Sequence, residues 1–367
     1  MTLINNFWKG KKVLITGHTG FKGSWLSLYL HNLGAIIIGC SLPPTSKQPL
    51  FDQLNLKDRL NHNIVDISNI KSINGLINDC NPDIIFHLAA QSLVRDSYVN
   101  PLTTWNTNVL GSLNLLESIK NFQHSCVVLV ITTDKVYENK NWAFGYREND
   151  SLGGDDPYSA SKAALEIAVA SWRKSFCGSK PYQNPNLFIA TCRAGNVIGG
   201  GDWGEDRIIP DIISSLKLNK NIKIRNKSAI RPWQHVLEPL SGYIKLAKKI
   251  YESKDLNRKL RLCSSFNFGP NLESNKTVLD LVNEVLKHWE GNWEDISNEN
   301  DFYEAQILKL NVEKSYDQLE WVPSWSFSEA VSKTTLWYKD DFQGILTPYE
   351  LCMKDIESFE NNPRKIY

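Results

Sequence analysis

The first half of the chain alternates between short runs that are apolar at every position and longer segments whose apolar residues return every three or four. Runs of the first kind fit strands covered on both faces, and segments of the second kind fit helices with one buried side. Val13-Leu14-Ile15 reads as the first strand, followed by a helix through Trp25, Leu26, Leu28, Tyr29 and Leu33 that ends near Gly34. Further strands are expected at 35–39, 64–66, 83–90, 127–131 and 187–191, with helices at about 70–77, 101–120 and 158–177. This alternation argues for an α/β fold built on a Rossmann-type doubly wound parallel sheet. After residue 195 the rhythm weakens into helices near 208–218, 237–251, 278–289, 314–319 and 328–339, with a short strand at 222–225 and a polar loop at 229–233. The expected division is a Rossmann domain over 1–195, rejoined by about 230–255, and a smaller C-terminal substrate-binding domain over 196–229 and 256–367.

In such a sheet ligands bind outside the C-terminal strand ends. Gly17, Ala89, Thr133 and the start of the helix at Tyr158 should therefore converge. Gly17, Gly20 and Gly23 in GHTGFKG stand between the first strand and its helix. Glycines there allow a tight turn and close backbone approach, and the helix N-terminus offers N–H groups to a pyrophosphate. His18 and Lys22 are candidates for direct phosphate contacts, with Thr19 and Phe21 in the same turn. A glycine turn before a helix also has a purely structural use, but the strand–turn–helix setting favours a dinucleotide. Leu88, Ala89 and Ala90 at the fourth strand end and Thr132 at the fifth complete the expected cofactor wall. The second strand ends in Cys40-Ser41-Leu42, with neither an acid for ribose hydroxyls nor an arginine for a 2′-phosphate, so this position does not choose the cofactor. Asp66 and Ile67 either bracket an adenine, or Asp66 caps the next helix.

Tyr158 and Lys162 lie four residues apart in a helical segment and so share one face. A cation beside a phenol favours phenolate, and moving a tyrosine pKa from about 10 to near 7 takes roughly 4 kcal/mol. A Tyr-x-x-x-Lys pair alone is close to what composition supplies, so its neighbours decide its meaning. Composition narrows the field further. Forty-one basic and 40 acidic side chains leave a net charge of +1, which argues against general binding to nucleic acid or a membrane surface. Seven dispersed cysteines without metal-like spacing suggest reduced thiols, and MTLINNFWKGKK lacks a secretion signal, so a cytoplasmic protein with no metal site is expected.

The stretches GHTGFKGSWL, SLVRDSY, TTDKVYEN, GYREND, LGGDDPYSASKAALE, RAGNVIGGGDW and IRPWQHVLEPLSGY, in that order, resemble the extended short-chain dehydrogenase/reductase superfamily. Within it the chain is most similar to the CDP-glucose 4,6-dehydratases over roughly its first two thirds, with weaker echoes such as NFGP at 267–270. The resemblance implies bound NAD, a nucleotide-sugar substrate, and a homodimer through the helices at 101–120 and 157–177. It also implies oxidation at C4′, loss of water across C5′–C6′ and return of hydride to C6′. Tyr158 would be the base at the C4′ hydroxyl, Lys162 would depress its pKa and hold the nicotinamide ribose, and Thr133 would bind the C4′ oxygen. Asp134 would act as acid at C6′ and Lys135 as base at C5′, where the related dTDP-glucose enzymes carry Asp-Glu. Passing one proton from Lys135 to Asp134 readies both groups and removes two charges from a water-poor site. Ser92, Thr133, Asn196, Arg207, Ile208, Arg231 and His235 are the expected substrate contacts, the arginines because a planar guanidinium suits a diphosphate. Alternatives are another nucleotide-sugar 4,6-dehydratase, a 4-epimerase, which needs no acid/base pair after Thr133, or a non-catalytic NAD-binding protein, which would not need Tyr158 and Lys162.

Overall fold

The computed structural model describes residues 5–204, 207–297 and 308–362. Its centre is a seven-stranded parallel sheet. In chain order the main elements are β1 (Lys12–Thr16), α1 (Phe21–Asn32), β2 (Ile36–Ser41), β3 (Asn61–Ile64), α2 (Ile70–Cys80), β4 (Ile84–His87), β5 (Cys126–Ile131), α3 (Pro157–Phe176), β6 (Leu187–Ala194), α4 (Leu237–Glu252) and β7 (Ser265–Phe268). The strand order β7-β6-β5-β4-β1-β2-β3 reverses direction of growth between β1 and β4, where doubly wound sheets open a ligand crevice. Every residue of β4, β5 and β6 is buried, the polar His87, Thr191 and Arg193 among them. Successive side chains go to opposite faces. Val13 and Ile15 join Trp25, Leu240 and Tyr243 on the side of α1 and α4. Leu14, Ile85 and Val128 join Ile73, Leu115 and Leu165 on the side of α2 and α3.

Two strands differ from expectation. β3 is the polar segment 61–64 paired with β2, not 64–66, because an edge strand is fixed by backbone hydrogen bonds to its single neighbour. Asp66 falls beyond it and accepts from Ser68 N at 2.8 Å, while Asn69 caps α2 by accepting from Lys71 N and Ser72 N. The capping alternative for Asp66 is thereby corrected. β7 comes from deep in the second half and pairs Ser265 with Thr191 and Phe268 with Ala194. Residues 265–268 thus belong to the sheet and not to the separate C-terminal segment expected from 256 onward. Outside the sheet are the antiparallel pair Ile230–Pro232 with Asn275–Thr277, the helix α5 (Phe327–Phe342), and α6 (Pro348–Glu360), whose start carries a Thr347/Glu350 capping box. No described helix is long and apolar enough to cross a membrane.

Three histidines are built uncharged into this framework. His87 bonds Thr16 Oγ1 at 2.7 Å and Ser112 Oγ at 2.8 Å, and burial pulls its pKa down to about 3. His235 sits edge-on between Trp25 and Trp325, also pulled to about 3 by burial with Lys333 reinforcing it. His18 bonds His62 at 2.7 Å and is lowered to about 4, first by burial and then by His62. Each folded value lies below the unfolded value near 6.5, so the unfolded chain takes up protons first as pH falls. The loss per histidine steepens below about pH 6.5 towards about 1.4 kcal/mol per unit, and amounts to about 2 kcal/mol in all between pH 7 and 5. Tm should fall steadily across that window, before most carboxylates titrate; a flat Tm there contradicts the arrangement.

Candidate active site

The turn after β1 depends on its glycines. Gly17 has φ +76°, and a Cβ on it would stand 2.8 Å from Ala89 N and 2.9 Å from Leu88 C. Leu88 N donates to Thr16 O at 3.1 Å and Ala89 N to Thr16 Oγ1 at 3.2 Å, which locks the ends of β1 and β4 side by side. A Cβ on Gly23 would overlap the Gly17 carbonyl, so α1 is pressed onto the turn. Gly20, the α1 N-cap, brings no side chain to the first N–H groups. Free helix-end donors beside a strand end stripped of Cβ atoms fit a dinucleotide pyrophosphate. Gly17→Ala should weaken dinucleotide binding by about 10-fold or more, because the left-handed backbone alone costs a substituted residue 1–2 kcal/mol. Titration of the purified protein with NAD measures it, and unchanged affinity would refute this reading of the turn.

The turn's side chains behave differently from expectation. The His18 ring is enclosed by Gly39, Phe51 and His62, so it packs the β2–β3 side and does not reach for a phosphate. Thr19 Oγ1 meets Ser41 Oγ at 2.7 Å and Leu42 O at 3.1 Å, closing the β2 end where a ribose-binding acid is missing. Phe21 is half-buried against the main core. Lys22 is lowered to about 8 by burial, with Arg207, Asp134, Lys135 and Asp202 all acting on it. It therefore sits toward the Asp134–Lys135 pair. Ile67 is buried in the α2–α3 core, while Asp66 is exposed; Ala89 and Ala90 are half-buried at the β4 end.

At the end of β5, Thr133 Oγ1 accepts from Lys135 N at 3.4 Å and donates to Asp134 Oδ1 at 3.0 Å. Lys135 Nζ reaches the same Oδ1 at 3.4 Å. Asp134 is fully buried, and its Oδ2 has no partner among the described residues. Across from this turn, Asp156 caps α3 through Ser159 N at 2.9 Å, Pro157 opens the helix, and Ser97 Oγ accepts from Tyr158 N. Burial pushes the Tyr158 phenol up to about 12; a hydrogen bond with Thr133 opposes this and Asp134 reinforces it. Lys162 Nζ donates to Ile131 O at 3.2 Å, and burial, then Lys22, pull it to about 8. The expected depression of Tyr158 by Lys162 is thus corrected: in the protein's own electrostatics, desolvation of the phenolate wins.

One turn after Lys162, the buried Glu166 takes Thr132 Oγ1 at 2.6 Å, Thr191 Oγ1 at 2.8 Å, Ser265 Oγ at 3.1 Å and both Arg193 Nε and Nη2 at 3.0 and 2.9 Å. Five donors hold its carboxyl below the usual range even though burial pushes the other way. Arg193 in turn bonds Tyr137 Oη at 2.9 Å. This clamp joins β5, β6, β7 and α3 behind the catalytic face. It also claims the Thr132 hydroxyl, which was expected at the cofactor.

The family described as GDP-mannose 4,6 dehydratase matches residues 14–334. The chain belongs to that family. A CDP-glucose 4,6-dehydratase of Salmonella typhimurium is 44% identical over 341 residues, covering 92% of this chain and 93% of that protein. Among solved structures, a dTDP-glucose 4,6-dehydratase from Bacillus anthracis in complex with NAD shares the fold with TM-score 0.73 at 22% identity, over 91% of this chain and 98% of that one. An epimerase from Methanothermobacter thermautotrophicus gives 0.76 at 20% identity, over 93% and 96%.

On the other side of this dehydratase-family cleft, Arg207 Nη1 grips both oxygens of Asp202 at 3.0 and 2.9 Å, and Nη2 lies 3.4 Å from Ser92 Oγ. The GGGDW loop that carries Asp202 is itself fastened by Tyr338, whose hydroxyl donates to Asp202 O at 2.6 Å, and by Trp25 Nε1 on Gly200 O. Asn196 is half-buried, with an Oδ1 that has no partner among the described residues. Ile208 opens the helix Ile208–Lys217 half-buried against the core, and Arg231 is buried with an Nη1 on Ile230 O. His235 is a core residue between two tryptophans, which corrects its assignment to a nucleotide pocket. Sequence reasoning missed Glu166, Tyr338 and Asn108. Asn108 lies in a π-helical turn and ties Gln91 N and O to Ser161 Oγ, joining the loop after β4 to α3. Its only signal was an asparagine inside an otherwise amphipathic helix.

Proposed function

We propose that the chain is an NAD-dependent hydro-lyase that converts CDP-glucose to CDP-4-keto-6-deoxyglucose and water. The observation that carries this is the Thr133-Asp134-Lys135 turn, with a buried Asp134 and a half-buried Lys135 ion-paired beside Tyr158. The extent of the likeness to the Salmonella CDP-glucose enzyme favours the cytidine nucleotide. NAD, when bound, takes the hydride from C4′ and returns it at C6′. The Gly17–Gly23 turn holds its pyrophosphate, Ala89 and Ala90 leave room beside it, and Lys162 holds the nicotinamide ribose. Tyr158 removes the C4′ hydroxyl proton while Thr133 hydrogen-bonds the C4′ oxygen. The 4-keto group then acidifies the C5′ proton, Lys135 removes it, and Asp134 protonates the departing C6′ hydroxyl; as hydride comes back to C6′, Lys135 gives a proton to C5′. Arg207, with its planar donors, faces the nucleotide diphosphate, and Asn196, whose buried Oδ1 has no partner among the described residues, accepts from a substrate hydroxyl.

A 4-epimerase shares the fold and Tyr-x-x-x-Lys but has no use for Asp134 and Lys135 in these places. Incubation with CDP-glucose and NAD decides between them: a product lighter by one water, with no net NADH, supports the dehydratase. Stoichiometric NADH, or an epimer of unchanged mass, overturns it. Exposed Leu102, Leu110 and Ile167 on the helical segments 101–119 and α3 fit the homodimer expected there, which sedimentation can test. Seven free thiols, six of them buried, suit a reducing cytoplasm.

A further inference from the structure

The two oxygens of Asp134 have unequal surroundings. Oδ1 accepts from the Thr133 hydroxyl and from Lys135 Nζ. An oxygen receiving two donors is the carbonyl-like one, so the acid form carries its proton on Oδ2. Oδ2 is buried and has no partner among the described residues. Its room is provided by residue 195, the first after β6. A Cβ built on Gly195 would lie 2.8 Å from Asp134 Oδ2 and 2.6 Å from Pro232 Cγ. Gly195 is absent from the glycines with left-handed φ, so its backbone does not demand glycine. The space does.

We propose that Gly195 is a positioning residue for the elimination step, keeping clear the volume in which Asp134 Oδ2 carries its proton to the departing C6′ hydroxyl. The proposal rests on the dehydratase reading. In that step the C5′–H electrons form the C5′–C6′ double bond, the C6′–O bond breaks, and the oxygen takes the Oδ2 proton and leaves as water. Asp134 is left as carboxylate. A methyl group at 195 makes the carboxyl rotate or retreat by several tenths of an ångström, because 2.8 Å is closer than carbon and oxygen approach without bonding. The three atoms nearest to that methyl group are Pro232 Cγ and Asp134 Oδ2 and Cγ, none of them from Thr133, Tyr158 or the glycine turn, so C4′ oxidation is expected to be spared.

The test compares wild type and Gly195→Ala, with NAD, on CDP-glucose and on its 6-deoxy-6-fluoro analogue, whose fluoride leaves without needing a proton. Gly195→Ala should form reduced nicotinamide in a single turnover within about threefold of wild type, yet lose water about 100-fold more slowly, the usual cost of a misplaced group. On the fluoro analogue the gap should shrink to less than about fivefold, since acid assistance is no longer required. Pro232→Ala, combined with Gly195→Ala, relieves the other contact; if the double variant recovers wild-type water loss, the methyl group acts through Pro232 and the proposal falls. It falls also if Gly195→Ala eliminates water normally, or loses both substrates equally. A wild-type protein that releases no product lighter by water overturns the dehydratase reading itself, a separable outcome.

Discussion

Tyr158→Phe is expected to lower the turnover of CDP-glucose by about 10³-fold, within the range that a positioned proton acceptor supplies. The hydroxyl is hydrogen-bonded with Thr133 at the end of β5. Because burial holds this phenol up at about 12, the protein with its cofactor should show kcat/KM rising with pH from about 6 to about 9. The phenylalanine variant should lose that slope together with the rate. Its Tm should stay within a few degrees of wild type, since the ring and the Asp156 cap remain. Retention of more than about a tenth of the activity would remove Tyr158 from the proposed chemistry.

Lys135→Met should divide the reaction instead of abolishing it. C4′ oxidation, and with it transient reduced nicotinamide, should persist, while product formation falls by about 10³-fold. In deuterated water the wild-type product should acquire deuterium at C5′, and the variant should exchange that position far more slowly. Undiminished exchange would show that Lys135 is not the base. Removing this ammonium also leaves Asp134 buried with Thr133 as its remaining donor. A modest loss of Tm is therefore expected alongside the kinetic defect, limited because Lys135 is partly exposed and the pair is partly screened.

The Tyr158 and Lys135 variants test different halves of one strand-end arrangement whose parts were unequally visible beforehand. Val13-Leu14-Ile15, the runs at 84–87 and 126–131, GHTGFKG and the Tyr158/Lys162 spacing are local patterns, and local periodicity dictates strand, turn and shared helical face. They sufficed for the parallel sheet, for convergence at its C-terminal strand ends, and for the company of Thr133, Asp134, Lys135 and Tyr158. Residues whose meaning depends on distant partners were not legible. β7 pairs with β6 across some seventy intervening residues, and its polar, alternating SFNF becomes a strand only against that neighbour. Glu166 reads in sequence as an ordinary helix position, and becomes a buried clamp because Arg193, Thr191 and Ser265 arrive from two other strands. His18 and His235 sit inside functional-looking motifs, yet the tertiary structure commits them to packing. The sequence by itself determined which chemistry the chain carries and at which strand ends it lies. Only the tertiary structure decided that Tyr158 is raised and not lowered, that Asp134 keeps one oxygen free, and that Gly195 makes the space for it. Desolvation and steric exclusion depend on what surrounds an atom in three dimensions, and that is not written in the spacing of its neighbours along the chain.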